Sequence, residues 1–248
     1  MYKKEFQKIF DYAVDKTDDI EILLIADNNF SVRIHDQKIE AFNYADSKGL
    51  SVRIIKNGKT GYSYTEDFSD NTLEMIVDEA IKNSKFTDSD KASSMEVYPD
   101  IQSKPDVFSE ELEKIDVEKK IKLAKDLEKH TKGFDKRIIT VPYAAYGDGS
   151  TYHKIANSKG LEKEDTHNFA YAYTAILAGS EQEKRMGADF KISRNFADFD
   201  AKILAEKACK KGLELLGGKQ IETGVYPIVF DNEMMPTLLA TFSGIFSA

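Results

Sequence analysis

The hydrophobic positions of this chain change period as it is read from the N-terminus. Phe6, Ile9, Phe10, Ala13 and Val14 recur at helical spacing and predict an amphipathic helix over 3–16. Ile20 to Ala26 is a largely apolar run suited to a buried strand. From Ser31 to Asp67 the period switches to two. Val32 and Ile34, Ile39 and Ala41, and Val52 and Ile54 are placed on one face, with Arg33, His35, Glu40 and Arg53 on the other. Asp36-Gln37-Lys38, Ser47-Lys48-Gly49 and Asn57-Gly58 read as the three turns of a four-stranded meander. Asn57-Gly58 is the clearest, because a type I′ turn needs two residues that tolerate positive φ.

Helical period returns after Ser69, which can cap a helix over 69–85 with Leu73, Ile76, Val77, Ala80 and Ile81 inward. Thr87 to Ser109 has no period and reads as a long surface connection. A helix over 117–131 follows, with Val117, Ile121, Ala124 and Leu123 or Leu127 inward. Arg137 to Ala145 reads as a strand and Gly147-Asp148-Gly149-Ser150 as a turn. Tyr152–Asn157, Thr166–Ala178 and Met186–Ser193 read as further strands of a second antiparallel set. A helix over 199–216 closes at Gly217-Gly218. Val225 to Phe230 predicts one more strand, and an apolar helix starts between Asn232 and Pro236. The expected class is α+β, with antiparallel meanders packed against amphipathic helices. A parallel doubly wound sheet is excluded, because parallel strands need a crossover that the meander lacks.

One hexapeptide echoes another. Ala45-Asp-Ser-Lys-Gly-Leu and Ala156-Asn-Ser-Lys-Gly-Leu admit two readings: two turns built by the same chemistry, or a duplicated unit with halves 1–86 and 110–216.

Composition narrows the function. The 248 residues suffice for one large or two modest domains, and 31% charged with 41% hydrophobic residues is ordinary for a globular protein. A formal charge of −8 argues against a nucleic-acid surface. The basic run Lys114, Lys119, Lys120, Lys122 and Lys125 is interleaved with Glu111, Glu113, Asp116, Glu118 and Asp126, and reads as a solvated helix face. Cys209 is the only cysteine, which excludes an intramolecular disulfide and a cysteine zinc cage. MYKKEFQKIF is too charged for a signal peptide, and no run approaches the about 18 apolar residues of a membrane span. The expected location is the cytoplasm.

Candidate chemistry is sparse. His35, His130, His153 and His167 include no pair three to five residues apart, so no helical ligand pair is present. His153 and His167 fall in neighbouring strands and read as a cross-strand surface pair. Ser47-Lys48 and Ser158-Lys159 sit on predicted turns, where adjacent side chains point apart. Tyr62, Tyr64, Tyr171 and Tyr173 alternate along strands as sheet-face packing, or as the wall of a groove for an extended peptide.

Val32-Arg33-Ile34, a turn, Lys38-Ile39-Glu40, then Ser47-Lys-Gly-Leu-Ser-Val-Arg53 and a hairpin into Gly61-Tyr-Ser63 resemble the N-terminal signature of the TldD/PmbA family. That family has also been called modulator of DNA gyrase. The order of the elements and Tyr226-Pro-Ile-Val-Phe-Asp231 extend the resemblance along the chain. It implies an N-terminal α+β domain over 1–220 and the start of a C-terminal domain at 221–248. The catalytic members resemble zinc metallopeptidases with a His-Glu-x-x-x-His motif that follows a strand and Leu-Leu. Here Leu238-Leu239 leads into Ala240-Thr-Phe-Ser-Gly-Ile245, so the matching positions are Ala240 and Ile245 for the metal and Thr241 for the base.

None of those three side chains can do that work. By resemblance the chain is therefore of the PmbA/TldE-like branch, with no catalytic residue and no zinc of its own. Zinc is expected only in a TldD-like paralogous partner, or else the chain pairs with itself. The expected substrate is a peptide or unfolded protein, with no nucleic acid and no membrane as partner. Two rival readings are a self-sufficient metallopeptidase with ligands in a C-terminal half, and a peptide-binding module without proteolysis. The apolar run from Met234 to Ala248 lacks a polar stop, and is expected to continue into a longer protein.

Overall fold

The computed structural model describes residues 1–90, 94–95 and 107–246, in two units, Met1–Leu216 and Gly217–Ala248. Most of the predicted connection from Thr87 to Ser109 lies outside the described residues.

The first unit opens with α1 (Lys3–Ala13), then β1 (Asp19–His35), β2 (Lys38–Lys56), β3 (Lys59–Thr65) and α2 (Asp70–Ser84). After the short α3 (Glu110–Glu113) the same succession recurs as α4 (Val117–Lys132), β4 (Ile138–Asn157), β5 (Glu162–Gly179), β6 (Lys184–Ser193) and α5 (Ala201–Glu214). The six strands form one antiparallel sheet in the order β3-β2-β1-β4-β5-β6, so each succession supplies three consecutive strands. The two sets meet where β1 pairs with β4, from Glu21 opposite Asn157 to Arg33 opposite Ala145.

The strands are longer than the sequence pattern suggests. Ser47-Lys48-Gly49 is not a turn but the middle of β2, opposite Asp27, Ala26 and Ile25 of β1. Gly147-Asp148-Gly149-Ser150 likewise lies within β4, not between two strands. Its glycines serve close approach: a Cβ on Gly147 would stand 2.6 Å from the Tyr171 ring. The two echoing hexapeptides are therefore not equivalent, since one lies inside β2 and the other spans the β4–β5 turn. Within β2, Glu40 is an extra residue. Ile34 faces Ile39 while Arg33 faces Ala41, so Ile39 and Ala41 point to opposite faces although their spacing predicts one. Glu40 lies on the polar side as expected, 2.7 Å from Arg33.

One face of the sheet carries the helices. Phe6 and Ile9 of α1 and Leu73, Ile76 and Val77 of α2 bury against Ile22, Leu24, Val52 and Ile54. Leu123 and Leu127 of α4 and Leu204 of α5 bury against Phe30, Val32, Ile34 and Tyr146. Each central strand therefore gives one end to each core. The edge strands admit their helices by the same device. A Cβ on Gly61 of β3 would lie 1.9 Å from the Ala80 carbonyl of α2, and one on Gly187 of β6 2.2 Å from the Gly212 nitrogen of α5.

Lys120 departs from its expected place on a solvated face. It is buried and pairs at 2.6 Å with Asp148, which also accepts 2.8 Å from the Tyr146 hydroxyl. Burial and the adjacent Asp148 carboxylate push the Tyr146 phenol far above its ordinary range.

The β1–β2 turn is held from across the sequence. Asp36 and Gln37 have φ of 48° and 59°, uncommon for residues with a side chain. Their backbone N–H groups donate at 2.6 and 2.7 Å to the two oxygens of the buried Glu128 carboxylate on α4. The Gln37 amide adds a third bond to Glu128 at 2.8 Å.

The second unit contains α6 (Met234–Phe242), which tightens into a 3₁₀ turn over Ser243–Phe246. The predicted strand Val225–Phe230 does not form: these residues have no strand partner among the described residues, and Val225 and Val229 are fully exposed.

Glu128→Ala should lower unfolding stability by about 2–4 kcal/mol, by releasing a positive-φ turn and stranding its N–H groups. Urea denaturation with an unchanged m-value would register this as a lower midpoint. Gly187→Ala should cost about 2–3 kcal/mol by forcing α5 off β6, read as a drop in Tm.

Candidate functional site

The face of the sheet opposite the helices is open among the described residues of the first unit. Strand register puts Leu23, Ile25, Ser31 and Arg33 of β1 on it, with Ala145, Gly147, His153 and Ile155 of β4 alongside. Tyr171 and Tyr173 of β5 face Gly147 and Ala145, and Phe190 and Ile192 of β6 face those tyrosines. The Tyr171 ring lies over Gly147, and the small side chains of Ser31, Ala41 and Ala145 leave a trough between the larger residues. Arg33, Ala41, Tyr143, Tyr171, Tyr173 and Phe190 line the resulting depression of about 520 Å³. The Tyr143 and Tyr173 rings lie 6.0 Å apart, and the Arg33 guanidinium lies 5.7 Å from the Tyr143 ring centre. Phe190 and Ile192 are 60% and 57% exposed, an apolar exposure that a monomeric surface rarely gathers in one place.

The four singled-out tyrosines share this face but form two groups. Tyr62 and Tyr64 face Arg53 and Ser51 at the β3 end, whereas Tyr171 and Tyr173 belong to the depression. The paired aromatic spacing was visible in the sequence. Phe190, Ile192 and Tyr143 were not, because their neighbours on the face come from other strands.

His153 and His167 meet across the β4–β5 hairpin, their ring centres 5.4 Å apart. Asp165 joins them: it is opposite His153 in the register and two residues from His167 along β5. Helical spacing does not reveal such a group, since antiparallel register sets it. His35 ends β1 beside Asp36, at 3.7 Å, and His130 is exposed in the last turn of α4. Neither Ser-Lys pair forms a dyad. Ser47 and Lys48 are successive residues of β2 and point to opposite faces. Ser158 and Lys159 both bind Asp19 of β1, at 3.0 and 2.7 Å, tying the β4–β5 turn to the neighbouring strand.

The stretch Ala240–Ile245, which the resemblance sets against the zinc motif, carries no imidazole, thiolate or carboxylate. Ala240 and Ile245 are hydrocarbon, and the hydroxyls of Thr241 and Ser243 donate to the Thr237 and Ala240 carbonyls at 2.9 and 2.7 Å. Zinc needs imidazole, thiolate or carboxylate ligands, so these residues do not fit it. Phe242, Ile245 and Phe246 are exposed.

Two family models match: PmbA/TldA metallopeptidase domain 1 over residues 20–84 and the PmbA/TldA metallopeptidase central domain over 110–216. The chain belongs to the TldD/PmbA family. The first match covers the β1–β3 and α2 succession, and the second covers α3 through α5. Among TldD/PmbA relatives, the metalloprotease PmbA homologue of Buchnera aphidicola is 27% identical over 222 residues, 87% of this chain and 49% of its own length. That of Haemophilus influenzae is 22% identical over 92% of this chain and 51% of its own length. The chain thus spans about half the length of the curated relatives it matches. A crystal structure described as a modulator of DNA gyrase from Bacteroides thetaiotaomicron superposes with a TM-score of 0.88 and 25% identity, over 98% of this chain and 56% of that one. TldE from Thermococcus kodakarensis shares the fold, with a TM-score of 0.75 at 17% identity over 84% of this chain and 47% of that one. No helix among the described residues is long and apolar enough to cross a membrane.

Cys209 can be set aside as a nucleophile. It is fully buried on α5, its thiol directed at the Thr131 carbonyl at 3.6 Å, and burial pushes its pKa up to about 11. A thiol-reactive dye at pH 8 should therefore label the native protein far more slowly than the urea-unfolded one, as followed by absorbance.

Proposed function

We propose that this chain acts as a PmbA/TldE-like subunit of a TldD/TldE-type metallopeptidase, in the proteolysis or maturation of peptides in the cytoplasm. In this reading a TldD-like paralogue carries the zinc chemistry. The observation that carries it is the donor-free stretch from Leu238 to Ile245, in a chain similar to PmbA homologues across both matched domains.

The open sheet face gives the subunit a role that needs no metal. An extended peptide presents side chains at a spacing of about 7 Å on one side, and the troughs of a pleated sheet repeat at the same interval. Tyr143, Tyr173 and Phe190 offer ring faces for its apolar side chains. β3 and β6 are the sheet edges, and an unpaired edge accepts an added strand.

The test is to assay the protein alone and mixed with a zinc-bearing TldD-like paralogue on an unfolded peptide. Cleavage should occur only in the mixture, and the two chains should co-elute on size exclusion. Zinc-dependent cleavage by this chain alone would overturn the reading. In the mixture, Tyr173→Ala should raise KM roughly tenfold with kcat little changed. An unchanged KM would remove the open face from substrate binding.

A further inference from the structure

We propose that His153, Asp165 and His167 form a binding site for one divalent transition-metal ion on the open face of the sheet. The site goes beyond the subunit reading and does not rest on it. It is also distinct from the segment that matches the family's zinc motif, which lies in the other unit.

The geometry begins with register. His153 on β4 is directly opposite Asp165 on β5, and His167 follows two residues later on the same face, diagonal to His153. Antiparallel pairing thereby gathers two imidazoles and a carboxylate from a span of fifteen residues without any helical motif. One ligand atom from each lies within 4.8 Å of the others. Asp165 Oδ2 stands 3.9 Å from His153 Nδ1 and 3.5 Å from His167 Nδ1. In a tetrahedral zinc site with bonds near 2.1 Å, neighbouring ligand atoms are about 3.4 Å apart. Two edges of the polyhedron are thus close to their final length. The third, between the imidazoles, closes by rotating side chains that are 37% and 36% exposed and have room to move.

The donor set selects the ion. Two imidazoles and one carboxylate favour Zn²⁺, Ni²⁺ or Cu²⁺ over Mg²⁺ and Ca²⁺, which prefer oxygen ligands throughout. Three protein ligands leave further positions to water or to a group from a bound molecule. The β4–β5 strands that carry them are fixed by continuous pairing from Ile155 opposite Lys163 to Tyr143 opposite Ala175, so the backbone needs no reordering to bind.

The experiment uses the full chain, dialysed against chelator and titrated calorimetrically with Zn²⁺, and with Co²⁺ as a visible-absorbing probe. The expected result is one equivalent bound, with Co²⁺ giving the intense visible bands of a low-coordinate site. His153→Ala, His167→Ala and Asp165→Asn should each weaken Zn²⁺ binding about tenfold or more, while His130→Ala leaves it unchanged. Circular dichroism and the melting curve verify that each variant is folded. Absence of stoichiometric binding by the unmodified protein overturns the proposal irrespective of the variants. So does binding that the three folded variants retain at full strength.

Discussion

The pairing of β1 with β4 is the constraint on which the first unit depends. Each half of the sheet is a three-stranded meander with one apolar face, and neither meander alone covers both of its ends. Because β1 and β4 run antiparallel and are both long, Ile22 and Leu24 serve the core under α1 and α2 while Phe30, Val32 and Ile34 of the same strand serve the core under α4 and α5. β4 contributes in the reverse sense, with Ala156 in the first core and Tyr146 in the second. Slipping this register by one residue would exchange buried for open positions in both cores at once. The seam also fixes where the buried Lys120–Asp148 pair can form, since Asp148 is opposite Phe30 and the Lys120 ammonium lies 4.8 Å from the Phe30 ring.

Much of this was legible in the pattern of apolar positions. The four long helices, the antiparallel class and the Asn57-Gly58 hairpin, with φ of 53° and 70°, all follow from spacing and turn chemistry. What was not legible has a common cause. Glycine and small polar residues predict turns at Ser47–Gly49 and Gly147–Ser150. Within long strands, however, they make room for neighbours such as Tyr171, and only the partner strand reveals that need. Lys120 was placed with its solvated neighbours because charge pattern records what lies beside a residue on its helix, and not the carboxylate beneath it. Val225–Phe230 has strand composition but lacks a partner to pair with, so composition alone misled.

The candidate sites divide along the same line. The inability of Ala240, Thr241 and Ile245 to bind zinc is a property of side-chain chemistry and needs no coordinates. The aromatic depression and the His–Asp–His group are properties of register, assembled from five and two strands respectively. Both lie on the face left without helices, where side chains are released from packing and are free to be selected for contact.

The Glu128 carboxylate ties a turn to a residue 92 positions later in the chain. Hairpins are usually the most local of β structures, complete as soon as their own residues are available. Here the tip at Asp36-Gln37 has an unfavourable backbone and no local group to satisfy its N–H donors. During synthesis β1 and β2 emerge before α4, so the Glu128 contacts at their tip can form only once the second half of the sheet is present. A turn of the first half is thereby completed by a helix of the second, a bond between the halves additional to the β1–β4 seam.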